Sequence, residues 1–173
     1  MRAAARILAD CGLGPVHRTC LSLRDGSTVW ITRDEAGLES LGWSDVLQSG
    51  LYRRQGPDES GAPDLTLHRA VYLGTHHCVV LQTTPPAALA LSVGATDAVG
   101  LLDGVSVPLL PFVDPAAPLG ERLAKLLRRE PVVLVAGVAA VAAGQDLEAA
   151  ARLLCELEGR ARAMLAPQPM TCG

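Results

Sequence analysis

Aromatic side chains are scarce in this chain: Phe112, Trp30, Trp43, Tyr52 and Tyr72 make up 3% of 173 residues. The core must therefore be built from Ala, Val and Leu packed at short range, and no aromatic platform for stacking single-stranded nucleic acid is expected. Basic charge is also short, with a net charge of −3 and no Lys/Arg cluster longer than Arg53-Arg54 or Arg128-Arg129. A phosphate backbone finds no field to attract it, so nucleic acid is not an expected partner. Long hydrophobic runs are missing too: the run from Val132 to Ala143 falls short of the roughly 20 residues that span a bilayer. The opening MRAAARILADCGLG places an arginine inside its apolar stretch and an aspartate after it, which breaks the apolar core of a signal peptide. The expectation is a soluble, cytoplasmic protein with no membrane partner. The five cysteines, Cys11, Cys20, Cys78, Cys155 and Cys172, are odd in number and scattered, with no CxxC pair. They read as reduced thiols, with Cys78 and Cys155 acting as small buried hydrophobes. Neither GxGxxG, GxxxxGK[ST] nor GxSxG occurs, so nucleotide binding and a nucleophile elbow have no support.

What is present suits one domain, residues 1–166, followed by a short tail at 167–173; 49% hydrophobic content is ample for a single core. Ala4, Ile7, Leu8 and Cys11 share one face at helical spacing, and Gly12 and Gly14-Pro15 stop that helix. Two β-rich runs, Thr19 to Arg24 and Ser27 to Thr32, flank Asp25-Gly26 and predict a hairpin. A short helix is expected over 34–41, a strand over 46–53, then the polar loop RRQGPDESGAPD. DLTLHRAVYLG reads as a helix ending at Gly74, and Cys78 to Thr83 as a buried strand that Pro85-Pro86 ends while opening the next helix. Pro108 to Phe112 reads as a strand, Leu119 to Arg129 as a helix, and VVLVAG as an apolar strand after Pro131. Asp146 caps the longest helix, whose Leu147, Ala150, Leu154, Leu157, Ala161 and Met164 follow one face. On that helix Glu148/Arg152, Glu156/Arg160 and Glu158/Arg162 are i,i+4 pairs, each contributing about 0.3 kcal/mol. Interleaved helices and strands with an antiparallel hairpin predict a three-layer α/β/α domain around a largely antiparallel sheet.

The order of elements resembles the class II aldolase/adducin family over roughly residues 5 to 165. The likeness is carried by CLSLRDGSTVWIT, DLTLHRAVY, CVVLQTTPPAALALS, PLLPFVDPAAPLGERLAKLL and PVVLVAGVAAVAAGQDLEAAARLLCELEGRARAML. The resemblance implies a zinc-dependent L-fuculose-phosphate aldolase-like scaffold, a cyclic homotetramer and pockets between subunits. It also implies a His-x-His motif and a third histidine as metal ligands. Here those positions are Gln82, Thr84 and, within a slip of two residues, Ala136. An amide, a hydroxyl and a methyl do not supply the three N, S or carboxylate ligands of a catalytic zinc site, so no metal cofactor is expected unless that alignment is wrong. The family's proton-transferring acid falls at Asp64, one methylene shorter than its usual glutamate. Its phosphate-binding asparagine falls at Cys20, and its phosphate turn at Thr32-Arg33-Asp34-Glu35, where two acids face an expected anion. Members usually continue into a tail carrying an aromatic acid, whereas this sequence ends in APQPMTCG.

Two groups retain chemical potential. Asp64 and His68 lie four apart, so a helix brings both to one face and a carboxylate could orient an imidazole for acid/base work; a helix-starting acid beside a half-exposed histidine is the plainer reading. His76 and His77 are adjacent before a strand, so they point to opposite faces and cannot share one ion; a substitute site from His17, His68 and one of them lacks any motif spacing. Gln82 and Thr84 alternate on a strand and face one side, where they either line a small polar pocket or satisfy one another in place of a lost metal. The resemblance thus implies a noncatalytic relative that binds a small ligand or assembles with itself; the alternative is an aldolase or epimerase with an atypical site, with or without a metal.

Overall fold

The structure is a computed structural model that describes residues 1–13, 18–34, 36–53, 61–112 and 118–167. The expectations for His17, Glu35, Cys172 and most of the polar loop after Arg53 lie outside these residues. The elements run α1 (Arg2–Asp10), β1 (Cys20–Asp25), β2 (Thr28–Thr32), β3 (Val46–Gly50), α2 (Leu65–Gly74), β4 (Val79–Thr83), α3 (Pro86–Ser92), β5 (Ala98–Gly100), β6 (Ser106–Leu110), α4 (Leu119–Leu127), β7 (Val132–Val135), β8 (Ala139–Gly144) and α5 (Leu147–Leu165).

The eight strands form one sheet in the order β3-β2-β1-β4-β8-β7-β6-β5. All neighbours pair antiparallel except β6 and β7. That exception follows from α4, which crosses between β6 and β7 and so returns the chain in the same direction. The Asp25-Gly26 turn forms as expected, with Gly26 at φ 56° and Ser22 opposite Ile31.

Alternation along the strands divides the apolar residues into two cores. Leu21, Leu81, Leu134, Ala140 and Ala142 face α1, α3 and α5, whose Leu8, Ala88 and Leu154 are buried against them. Ile31, Val80, Val133 and Val141 face α2 and α4, with Tyr72, Leu123 and Leu127. The strand expected at VVLVAG ends at Val135, and a further strand that was not expected, β8, follows the turn at Ala136 to Val138; its alanines let α5 lie close over it. A strand of small residues buried on both faces carries no alternation, so periodicity cannot place the turn.

Other expectations are corrected as well. The helix expected over 34–41 shrinks to a 3-10 turn at Leu38–Ser40, the strand over 46–53 ends at Gly50, and the strand expected at 108–112 runs from Ser106 to Leu110 beside the three-residue edge strand β5. On α5, Asp146 does cap, accepting from the Ala149 N–H at 2.7 Å, and the stripe is buried except for Met164, which is exposed. Cys11 and Cys155 are not free thiols: they are joined, tying α1 to α5 across 144 residues with a Cα–Cα distance of 5.8 Å. Glu158 is not a solvated i,i+4 partner either. It is buried, accepting from the Ala87 and Ala88 N–H groups as well as from Arg162 Nε.

Helices α2 and α4 approach through small residues. A Cβ built on Gly120 would lie 2.6 Å from the Ala70 Cβ, and one on Gly74 would lie 2.6 Å from the Ala124 Cβ. Real carbon atoms do not approach so closely, so Gly120→Ala is expected to push the helices apart and lose about 1–3 kcal/mol of stability, read as a lower urea midpoint. An unchanged midpoint would mean that α4 slides at no cost.

Candidate functional site

Strand β4 runs beside β1, and register places Gln82 directly opposite Cys20. Opposed residues share a face, so both side chains lie on the α2 side of the sheet. Asp64 stands just before α2, with its backbone carbonyl accepting from the His68 N–H at 3.0 Å. The Asp64 carboxylate bonds the Gln82 side chain. Gln82 Oε1 is buried with no partner among the described residues, so the amide N–H is the donor. Arg18 completes the group, its Nε 3.3 Å from Asp34 Oδ1 and its Nη2 3.8 Å from Asp64 Oδ2. Thr32 ends β2 with its Oγ1 accepting from the Leu21 N–H at 3.0 Å, which fixes the strand on which Cys20 sits.

The electrostatics follow from burial. Asp64 keeps only 17% of its side chain exposed, and its pKa is raised by desolvation, against which Arg18 and the Gln82 bond pull it down, while Asp34 adds to the rise. The Cys20 thiol is pushed up to about 12 by burial, with the Asp64 charge adding to the rise; it is a neutral thiol at physiological pH and a poor nucleophile.

His68 does not pair with Asp64 through its side chain. Its ring is wholly buried, with Nδ1 2.6 Å from Ser22 Oγ, which in turn lies 2.6 Å from the Tyr72 hydroxyl. Burial lowers the His68 pKa to about 3 and pushes the Tyr72 phenol up, so both are neutral near pH 7. The shared helical face exists, but the sheet claims the imidazole: Ser22 points toward α2 and supplies the nearer polar partner. Helical spacing alone could not show this, because it fixes a direction on α2 and says nothing of what lies opposite.

The remaining candidates are spread out. Thr84 is half-buried just beyond β4, where Pro85 begins the entry to α3. Gln82 and Thr84 bracket Thr83, whose hydroxyl points to the opposite face and lies 2.9 Å from Thr19 Oγ1. Ala136 sits in the β7–β8 turn, its N–H donating to the Leu110 carbonyl at 2.8 Å. His77 is bound through Nε2 to the Leu127 carbonyl at 2.7 Å, and His76 is exposed. Sequence reasoning missed Arg18 and Ser22 as parts of this group. The only signal for either was a position two residues from Cys20, one on each side.

A catalytic zinc ion is implied by the resemblance but not by these donors. Gln82 offers one amide oxygen, Thr84 a hydroxyl and Ala136 a methyl, and among the described residues no group of three or more His, Cys, Asp or Glu side chains could hold an ion. The donor set does not fit the metal.

Among curated proteins, none matches this sequence. Solved structures do match. The l-fuculose-1-phosphate aldolase from Thermus thermophilus is 27% identical, with a TM-score of 0.79 over 95% of this chain and 90% of that one. YgbL from Klebsiella pneumoniae shares the fold at 22% identity and a TM-score of 0.75, over 94% of this chain and 84% of its own. An aldolase II superfamily protein from Pseudomonas syringae does so at 19% identity and 0.71, over 96% and 72%. The family model described as the class II aldolase and adducin N-terminal domain matches residues 1–165. That match, over nearly the whole chain, makes the chain a member of the class II aldolase and adducin N-terminal domain family.

Proposed function

We propose that this protein is a noncatalytic member of its family, a binding or assembly module in the cytoplasm. One observation carries the reading: the residue at the first former ligand position, Gln82, bonds the acid at the family's proton-transfer position, Asp64, and Arg18 pairs with that acid as well. The acid is engaged within the protein, and the ligand set beside it lacks the chemistry to polarise a carbonyl. Exposed Trp43 and Tyr52, at 81% and 78% of their surface, supply apolar area of the kind that supports self-assembly, in keeping with the homotetramer that the family resemblance implies.

The purified, dialysed chain is expected to carry less than about a tenth of a zinc ion per chain and to leave L-fuculose 1-phosphate intact with or without added zinc. Zinc near one per chain together with zinc-dependent cleavage would overturn the proposal. A second reading rests on the raised pKa of the half-buried Asp64, a perturbation that also suits a metal-free acid/base catalyst of the aldolase or epimerase type. That reading demands turnover which Asp64→Asn abolishes while circular dichroism stays unchanged.

A further inference from the structure

The C-terminal end of α1 is held at successive points. Cys11, the residue that caps the helix, is bonded to Cys155 on α5. Two residues on, Leu13 is buried, its N–H donating to the Leu8 carbonyl at 2.8 Å and its own carbonyl accepting from Thr19 Oγ1 at 3.4 Å. Thr19 Oγ1 also lies 2.9 Å from Thr83 Oγ1, and Thr83 is fully buried on β4 between Gln82 and Thr84. Thr19 itself lies between Arg18 and Cys20. A line of contacts therefore runs from the sulfur bridge through the end of α1 to the segment that carries Arg18 and Cys20, and ends on the former-ligand strand.

Helix α1 has nine residues and buries only Ala4, Ala5 and Leu8. That face packs on α5, and the covalent tie fixes the C-terminal end of α1 to the same helix.

We infer that Cys11–Cys155 is a reversible redox staple: oxidised, it holds the Arg18–Thr19–Cys20 segment closed against β4, and reduced, it releases that segment. Cys11 and Cys155 are both half-buried residues, so exchange proceeds when α1 opens locally. In the closing direction, the thiolate of one cysteine attacks a low-molecular-weight disulfide, forming a mixed disulfide and expelling one thiolate. The second cysteine then displaces the remaining small thiolate, and the two protons lost by the cysteines pass to the two thiolates released. A dithiol reverses both steps.

The test uses the full chain, once with excess glutathione disulfide and once with dithiothreitol, alkylated in time courses and read by peptide mass spectrometry. The free cysteines Cys20, buried, and Cys78, half-buried, are internal reporters. Reduction is expected to uncover Cys11 and Cys155 and to speed labelling of Cys20 by about tenfold or more, with Cys78 changing less than about twofold, because only the segment beside Thr19 is released. The midpoint of thermal unfolding should fall by roughly 5 to 15 °C. Thr83→Val, which removes the far anchor, should label quickly at Cys20 in both redox states, and the Cys11→Ser/Cys155→Ser double variant should match the reduced chain. Cys20 labelling at one rate in oxidised and reduced wild-type protein, or free Cys11 and Cys155 under excess disulfide, overturns the inference, even where the double variant fails to fold.

Discussion

Acidification is expected to destabilise this protein on the order of 4 kcal/mol between pH 6.5 and pH 3, through His68. The imidazole is fully buried beside Ser22 and Tyr72, and burial takes its pKa from an ordinary 6.5 to about 3. In the unfolded chain the ring takes up a proton as the pH falls through 6.5, whereas the folded chain takes it up only near 3. Across that window the unfolded state binds more protons, so the stability present above 6.5 is lost at up to about 1.4 kcal/mol per pH unit. Asp64 works the other way: its raised pKa lets the folded state take up a proton first, which offsets part of the loss. The measurement is a series of urea transitions at pH 7.5, 6, 5 and 4 for wild type and His68→Gln, which keeps a polar group but cannot titrate. The variant should be less stable at pH 7.5, with a shallower decline. Parallel declines for the two proteins would show that His68 is not the titrating group.

The second large effect is expected from Glu158→Ala, a loss of about 3–5 kcal/mol. The carboxylate is 1% exposed and takes the Ala87 and Ala88 N–H groups at 3.0 and 3.1 Å, with Arg162 Nε at 2.8 Å. Pro85 and Pro86 lack an N–H, so these two amides are the first donors of α3 and have no helical acceptor of their own. Removing the carboxylate leaves them buried and unpaired, along with a guanidinium that has lost its partner. Glu158→Gln should lose less, since an amide oxygen still accepts from the helix. Chemical denaturation of both variants checks the order; a loss below about 1 kcal/mol for Glu158→Ala would mean that water replaces the cap without difficulty.

This contact also illustrates where sequence reading stops. Glu158 and Arg162 look like any surface pair at helical spacing, and the pair does form. Its importance comes from α3, which lies 71 residues away in sequence and brings two amide donors to the same carboxylate. Glu148/Arg152 and Glu156/Arg160 have the same spacing, and their acids stay roughly half exposed, where such pairs contribute little. Nothing local distinguishes the three.

The same division runs through the site. Cys20, Asp64 and Gln82 were each picked out singly from the sequence, and it is the pairing of β1 with β4 that sets Cys20 opposite Gln82. Arg18 as the partner of both Asp34 and Asp64 was not legible, because an ion pair between residues 16 and 46 positions apart leaves no periodic trace. The cysteine reading failed for a related reason. An odd, scattered count says nothing about which two sulfurs the α1 and α5 packing brings within bonding distance.

By itself the sequence determined what repeats along the chain: helical faces, strand alternation, the Asp-Gly turn, the Asp146 cap and the proline boundaries, all of which act within a few residues. It also carried the family likeness over residues 1–165. Only the tertiary structure decided what lies across from each side chain: Ser22 in place of Asp64 for His68, α3 in place of solvent for Glu158, and Cys155 for Cys11. Those outcomes depend on which distant surfaces pack together, since the strength of a polar contact is set by its burial and its partners, and neither is a property of sequence neighbours.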